Sequence, residues 1–458
     1  MAPLTPNAEP SRPDAQRKPR MPDALDLLLD RPQYANVADD AYAPGLDRME
    51  TLVDALGNPH EALRAVHVAG TNGKGSTAAM IAAIATAAGL RTGLHTSPHL
   101  THVTQRMRID GVPAPTDWLA DTLDQHRALI EEVQPSFFEL TVALTFRYFA
   151  EQDVDLAVIE VGLGGRLDST NVLHPALSII THIDLDHTET LGDTLDAIAR
   201  EKTGIIEPQT PVLSAVTKDE AQAAIAEVAA EQDASLHRLN DEATWTTHRS
   251  GLTGSVFTLD TPVPNNYDRL SVSLPGRHQQ RNAVLAVRAA ELTFLADEGP
   301  YATATAVREG LGDMQGHTGF HGRFDVLQEE PLVVVDVGHN PPAIAATLET
   351  IAPAVAKRGG MLHVCLNAVE GKGLPETAEM LAKRDAQVTP FPMDTKRALP
   401  PDEITATLRA HGVSVHAPQS LADTLDTFRR TAAPEDGLLC VGTHKVMEVL
   451  PAEFRGSQ

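Results

Sequence analysis

Short β-branched runs alternate with alanine-rich stretches along most of this chain, a rhythm that predicts α/β architecture with a mostly parallel sheet. "AVHVA" (65–69), "VDLAVIE" (154–160) and "LSIITHI" (177–183) are continuously apolar, as strands covered on both faces of a parallel sheet must be. "STAAMIAAIATAAGL" (76–90) reads as a helix closed by Gly89. Around 235–275 the text shifts to Thr/Ser-rich alternation ("GSVFTLDTPV", "RLSVSL"), which predicts a small antiparallel patch. After the Gly/His-rich "GDMQGHTGFHGRF" (312–324), strand–helix alternation resumes with "PLVVVDV", "PPAIAATLETIAPAV" and "MLHVCLNA", and it runs to "GLLCVGT". The pattern predicts two folded domains, 23–316 and 317–458, the second a smaller doubly wound α/β unit. A Pro-rich polar tail precedes them over 1–22.

Composition narrows the picture. A chain of 458 residues exceeds one ordinary core. No apolar run approaches the ~20 residues of a membrane helix, and the first residues lack the apolar centre of a signal peptide. The two cysteines, Cys365 and Cys440, lie in strand-like runs without metal or redox spacing, so buried reduced thiols in a cytoplasmic protein are expected. A net charge of −25 repels nucleic acid and anionic membranes. An anionic substrate must therefore be held by a local positive site.

The candidate chemistry starts in "VHVAGTNGKGSTAAM" (66–80). The usual phosphate loop is Gly, four residues, then Gly-Lys-Ser/Thr, and this stretch departs from it at Val68 and at Gly75. The physical device is nevertheless complete: glycines for close approach, Lys74 for the outer phosphates, and a helix N-terminus after a buried strand. Ser76 and Thr77 supply the hydroxyls displaced from position 75. Glu160 ends the apolar strand 154–160, where open α/β sheets place ligands and where an acid organises Mg²⁺. "GLGG" follows it, with Arg166, Asp168 and Asn171 on the same rim. Ser97 in "HTSPHL" and His187 in "DLDHTE" end two more strands, so a hydroxyl, a carboxylate and an imidazole converge on one edge as a candidate metal site. Taken alone, Phe137 and Phe138 read as core.

In order and spacing, "HVAGTNGKGS", "TSPHL", "FFELTVALTF", "IEVGLGGRLDSTN", "DHTETLG" and "REKTGII" resemble the folylpolyglutamate synthase/dihydrofolate synthase family of the Mur ligase superfamily. The similarity continues through "LPGRHQQRNAVLAV", "GRFDV", "DVGHNPPAI" and "GTHKVMEV", and so covers roughly residues 24–450. The resemblance implies ATP on Thr71, Asn72, Gly73, Lys74, Gly75 and Ser76, with Asn282, Arg323 and Asp336 completing the nucleotide site. It implies Mg²⁺ on Ser97, Glu160 and His187, and a carbamylated Lys202 helping to hold a second metal. It places His339 at the incoming amino acid, and Phe138 and Asp168 at the pterin ring. The activity so implied is ATP-dependent addition of L-glutamate to dihydropteroate, to reduced folates or to both, by a monomeric enzyme working through an acyl phosphate.

Five positions depart from the family pattern, one of them the minor change of the usual alanine to Gly338. Gln105 stands where glutamate is usual, Asn367 where glycine is usual, and Gly371-Lys372-Gly373 where Asp-Lys-Asp is common. The last echoes a phosphate loop, but Pro375 follows, and no comparable helix is expected there. Two other readings compete: a dihydrofolate synthase only or another Mur-type peptide ligase, and a nucleotide-binding regulator without activity. Retention of Lys74, Glu160, His187 and Lys202 weighs against the regulator.

Overall fold

Eight strands form the central sheet of the computed structural model, which describes residues 21–32, 45–295 and 299–454. They are β1 (Ala65–Ala69), β2 (Thr92–His95), β3 (Met107–Ile109), β4 (Val112–Pro113), β5 (Leu156–Glu160), β6 (Leu177–Ile180), β7 (Val212–Ser214) and β8 (Leu236–Arg238). Their order is β4-β3-β2-β5-β1-β6-β7-β8. The six strands from β2 to β8 in that order run parallel, and the β3–β4 hairpin closes one edge antiparallel. Parallel strands share a carboxyl edge, so the loops after β1, β2, β5 and β6 open on one rim. Val68 of β1 lies beside Glu160 on one side and Ile179 on the other, which centres that rim on β1.

The helix Lys74–Ala87 is buried from Gly75 through Ala85. Its small side chains allow this, because it is clamped between the sheet and the helices Arg277–Leu292 and Pro300–Gly312. It starts two residues before the apolar run suggests, because Gly73 caps it in the left-handed region, and Gly89 closes it at φ +88°. β9 (Thr244–Gly251), β10 (Gly254–Asp260) and β11 (Tyr267–Val272) form the antiparallel patch. The first residues of that stretch behave differently, since 236–238 joins the central sheet in parallel as β8.

The C-terminal sheet contains β12 (Asp325–Glu329), β13 (Leu332–Val335), β14 (Leu362–Leu366), β15 (Gln387–Pro390), β16 (Ser414–Val415) and β17 (Gly437–Val441). Its order is β12-β13-β17-β14-β15-β16, parallel except for β12. Insertion of β17 between β13 and β14 opens a crevice at their carboxyl ends. Cys365 and Cys440 lie opposite each other in register on β14 and β17, fully buried and free. Of the tail read over 1–22, only Met21 and Pro22 fall within the described residues, and they open the helix Met21–Leu29. Among the described residues no helix is long and apolar enough to cross a membrane.

Gly310 shows how tightly the central helix is held. A Cβ at this position would come 2.6 Å from the backbone nitrogen of Ile84, an atom that cannot swing aside. Gly310→Ala should destabilise by about 1–3 kcal/mol through overpacking. Thermal melting checks this, and an unchanged midpoint contradicts the packing described.

Candidate active site

The phosphate loop departs from the usual pattern for a visible reason. Val68 is fully buried within β1, so the strand continues to Ala69 and the loop opens only at Gly70. Gly70 has φ +149°, and a Cβ there would collide with Thr181 Oγ1. Gly75 faces the acid: a Cβ would stand 3.3 Å from both Glu160 carboxylate oxygens and 3.1 Å from Phe320. A serine or threonine here requires Phe320 or the Glu160 carboxylate to give by a few tenths of an ångström. Around the turn, Thr71 N–H donates to His182 O (2.6 Å), Thr71 Oγ1 donates to Asp184 O (3.1 Å), and Thr181 Oγ1 donates to Asn72 O (2.8 Å). Ser76 Oγ accepts from Gln279 Nε2 at 3.3 Å, whereas Thr77 is wholly buried and its hydroxyl has no partner among the described residues. Lys74 folds back onto its own loop, donating to Gly70 O at 3.0 Å.

Glu160 ends β5 almost fully buried, and Oε2 accepts the Ser97 amide at 2.9 Å. Burial pushes its carboxyl up, while Lys74, the Ser97 amide, Arg323 and Arg106 pull the other way. The structure therefore brings Ser97 and Glu160 together beside Lys74. His187 stands in the left-handed region at φ 50° at the head of the short helix Thr188–Leu191. Its Nε2 lies 3.0 Å from the Nζ of Lys372, a residue of the C-terminal region. Burial, then the Lys372 cation, lowers the imidazole to about 3, so it is neutral near pH 7. Asp186 joins the same cluster: burial pushes it up, but Lys372 and His187 hold it well below the usual carboxylate range.

Lys202 projects from the helix Leu195–Thr203 and donates to the same Gly70 carbonyl as Lys74, at 3.1 Å. It is 4% exposed, and burial, then the Lys74 cation, lowers it to about 7, with Asp186 and Asp168 opposing. The "GLGG" loop meets this helix backbone to backbone. A Cβ at Gly165 would stand 2.6 Å from Lys202 O. Arg166 and Asn171, expected as polar groups of the rim, stitch that contact: Arg166 pairs with Glu201 (2.7 Å) and Asn171 Nδ2 donates to Gly204 O (2.9 Å).

The remaining expected residues have specific surroundings. Phe138 is half-buried, and its ring covers Gly162 so closely that a Cβ there would stand 2.5 Å from Cζ, whereas Phe137 is core. Asp168 is buried and caps 169–172, accepting from Leu163 N, Thr170 N and Thr170 Oγ1, the last at 2.6 Å. Asn282 abuts the loop, with Oδ1 2.9 Å from the position of a Cβ on Gly73. Arg323 lies over the Phe320 ring at 5.3 Å, and its charge reaches both Glu160 and Asp336. Asp336 accepts the amides of Gly338 (2.7 Å) and Phe324 (2.9 Å), locking the Arg323 turn to the end of β13. His339 Nδ1 faces Val337 O at 3.2 Å, and burial, then Lys372, lowers it to about 4.

Sequence reasoning missed Asp186, Asn340 and Lys372. Asn340 caps the helix Pro341–Arg358, pairs its amide with that of Asn72 (3.2 and 3.4 Å) and donates to Asp186 Oδ2 at 3.0 Å. Gly371-Lys372-Gly373, expected to open no helix comparable to that after the phosphate loop, opens the nine-residue Leu374–Ala382 against fourteen residues for Lys74–Ala87. Gly373 caps it at φ 67°, and Pro375 sits in the first turn, where a missing N–H costs nothing. The signals for Lys372 were the Gly-Lys-Gly echo and its match to the lysine of the family's Asp-Lys-Asp.

The lowered Lys202 carries a pH signature. Between about pH 7 and its unfolded value near 10.5 the unfolded chain binds the extra proton, so this group makes stability rise with pH. Below pH 7 the buried ammonium exerts its full penalty. Lys202→Met should therefore be more stable than wild type at pH 6, on the order of 2 kcal/mol, with the gap closing toward pH 10. Paired melts in CO₂-free buffer check this; a pH-independent gap contradicts it.

Residues 68–290 match the Mur ligase middle domain and 322–444 the Mur ligase glutamate ligase domain. The dihydrofolate synthase/folylpolyglutamate synthase of Bacillus subtilis is 36% identical over 342 residues, covering 72% of this chain and 76% of that protein. Its Escherichia coli counterpart is 30% identical over 447 residues, covering 96% and 99%. The Mycobacterium tuberculosis folylpolyglutamate synthase structure complexed with ADP and AMPPCP superposes with a TM-score of 0.80 at 29% identity, covering 93% of this chain and 96% of that one. With the glycine loop, strand-end acid and buried lysine on one rim, these likenesses show that the chain belongs to the folylpolyglutamate synthase/dihydrofolate synthase family of Mur ligases.

Proposed function

We propose that this chain is an ATP-dependent ligase that joins L-glutamate, through its amine, to dihydropteroate, to reduced folates, or to both. The observation that carries the reading is the convergence of Lys74, the Ser97–Glu160 pair and buried Lys202 on one strand edge. Relatives act on the same reaction class by their names, and solved relatives hold ADP or AMPPCP.

The triphosphate of ATP lies along the loop amides from Thr71 to Ser76, and Lys74 leaves its two backbone carbonyls for the outer phosphates. The acceptor carboxylate attacks the γ-phosphorus, giving an acyl phosphate and ADP. The glutamate amine then attacks the activated carbonyl, and inorganic phosphate leaves as the amide forms. The chain supplies positioning and charge: Lys74 and Arg323 face the phosphates, Asn282 and Asp336 the nucleoside, and His339 the amino acid. Phe138 offers a flat face to the pterin beside Asp168. Asp168 already accepts three hydrogen bonds, so any pterin contact uses its remaining lone pairs. With Arg323 just past the predicted boundary at 316/317, both domains grip ATP and shield the acyl phosphate from water.

The donor set fits a magnesium ion. Glu160 is buried, Oε2 has one amide partner and Oε1 accepts no hydrogen bond among the described residues, so a cation is the partner its burial calls for. Ser97, Glu160 and His187 would hold the ion, which when bound offsets charge on the phosphates. Lys202, lowered to about 7, presents a neutral amine that is a competent nucleophile toward CO₂, and its carbamate, formed with loss of one proton to solvent, would replace a buried amine with an anion suited to a second metal. We place the enzyme in the cytoplasm as a monomer.

Glutamate-dependent ADP release, compared between dihydropteroate and reduced folate, decides the acceptor; no release with either overturns the reading. Lys74→Ala should lower turnover about 10³-fold, and near-normal activity would remove the phosphate-loop assignment. Lys202→Ala should lose activity and regain part of it with added short carboxylic acids, as a carbamate role requires; loss without rescue argues for a different role.

A further inference from the structure

The Gly371–Gly373 turn carries Lys372 from the C-terminal sheet into the rim of the central one. Its Nζ donates to Asp186 Oδ1 at 2.5 Å and lies 3.0 Å from His187 Nε2, with only 7% of the side chain exposed. The turn is firmly set. Gly373 abuts Pro341 where a Cβ would collide, Glu370 N–H donates to Arg397 O at 2.9 Å, and Val369 bridges Ala398. Asn340, from the same side of the cleft, holds the other Asp186 oxygen at 3.0 Å. A compact cationic head is thus delivered to two residues beside the phosphate loop.

The contact with His187 has a chemical consequence. An ammonium has three donors and no lone pair, so Nε2 must be the acceptor and its lone pair is engaged. Metal coordination needs that same lone pair. Ammonium and metal ion cannot share it, and two cations at hydrogen-bonding distance would also repel. We propose that Lys372 is a resident cation of the Asp186–His187 seat that a divalent ion must displace from His187 Nε2. Lys372 is then a positioning residue, and metal loading and docking of the C-terminal region are coupled through one imidazole nitrogen. The departure from Asp-Lys-Asp fits this role. With Gly371 and Gly373 in place of the aspartates, Lys372 has no flanking acid and takes Asp186 across the cleft as its carboxylate. This inference rests on the proposed assignment of His187 as a metal ligand.

The test is titration of the nucleotide-free full chain with Mn²⁺, with free ion read by electron paramagnetic resonance. Wild type, K372M, K372R, H187A and K372M/H187A are compared, and thermal melting confirms folding of each, with K372Q in reserve for K372M. K372M should bind Mn²⁺ at least about fivefold more tightly than wild type. K372R, which keeps the cation, should stay near wild type, and the gain should vanish in the double variant. Equal or weaker binding by K372M and K372Q, with H187A weaker than wild type, overturns the competition and leaves His187 as a ligand. A gain that survives in K372M/H187A shows that the ion sits away from His187, and the ligand assignment itself fails.

Discussion

A carboxylate buried at a helix N-terminus organises this molecule. Glu160 is almost fully buried at the end of β5, beneath Gly75 and beside the Ser97 amide. Burial alone disfavours its charge, and the neighbouring groups respond to that cost: Lys74, Arg323 and Arg106 all lie within electrostatic reach. Glycine at 75, the short loop from Gly70 to Gly73 and the Ser97 turn each make room for this acid. The rim therefore sets Lys74, Arg323 and Arg106 around one acid inside a protein of net charge −25. The overall field repels an anionic substrate; the local one can hold it.

Around that centre, polar contacts join the two sheets beside the apolar seat of Leu100 in the C-terminal core. Asn340 pairs with Asn72 and Asp186, and Lys372 reaches Asp186 and His187. Such contacts exchange for water or ligand at small net cost, unlike an apolar interface of the same extent.

The departures from the family pattern become intelligible at the level of hydrogen bonds. Gln105 Oε1 accepts the amides of Leu100, Thr101 and His102, a capping task that an uncharged amide performs as well as a carboxylate. Gly371 and Gly373 both adopt positive φ, and Gly373 has no room for a side chain. Asn367 Nδ2 donates to Phe391 O at 3.0 Å; its Oδ1 is buried without a partner among the described residues, and nothing in the structure explains that choice.

Much of this protein was determined by local sequence. Strands β1, β5 and β6, the helix after the loop and the antiparallel patch were legible because continuous apolar runs and period-2 alternation state burial directly. The positions of Lys74, Ser97, Glu160 and His187 at or after the ends of β1, β2, β5 and β6 were legible, since parallel strands share one carboxyl edge. Roles that depend on distant partners were not. Arg166 and Asn171 were legible as polar groups of the rim but their loop-stitching bonds were not, because their partners Glu201 and Gly204 are 35 and 33 residues away. Lys372 looked inert because its partner Asp186 lies 186 residues upstream, in the loop after β6 of the central sheet. Local pattern records which face of an element is buried; only tertiary packing decides which charge stands opposite another, because charge pairing depends on distance in space and not along the chain.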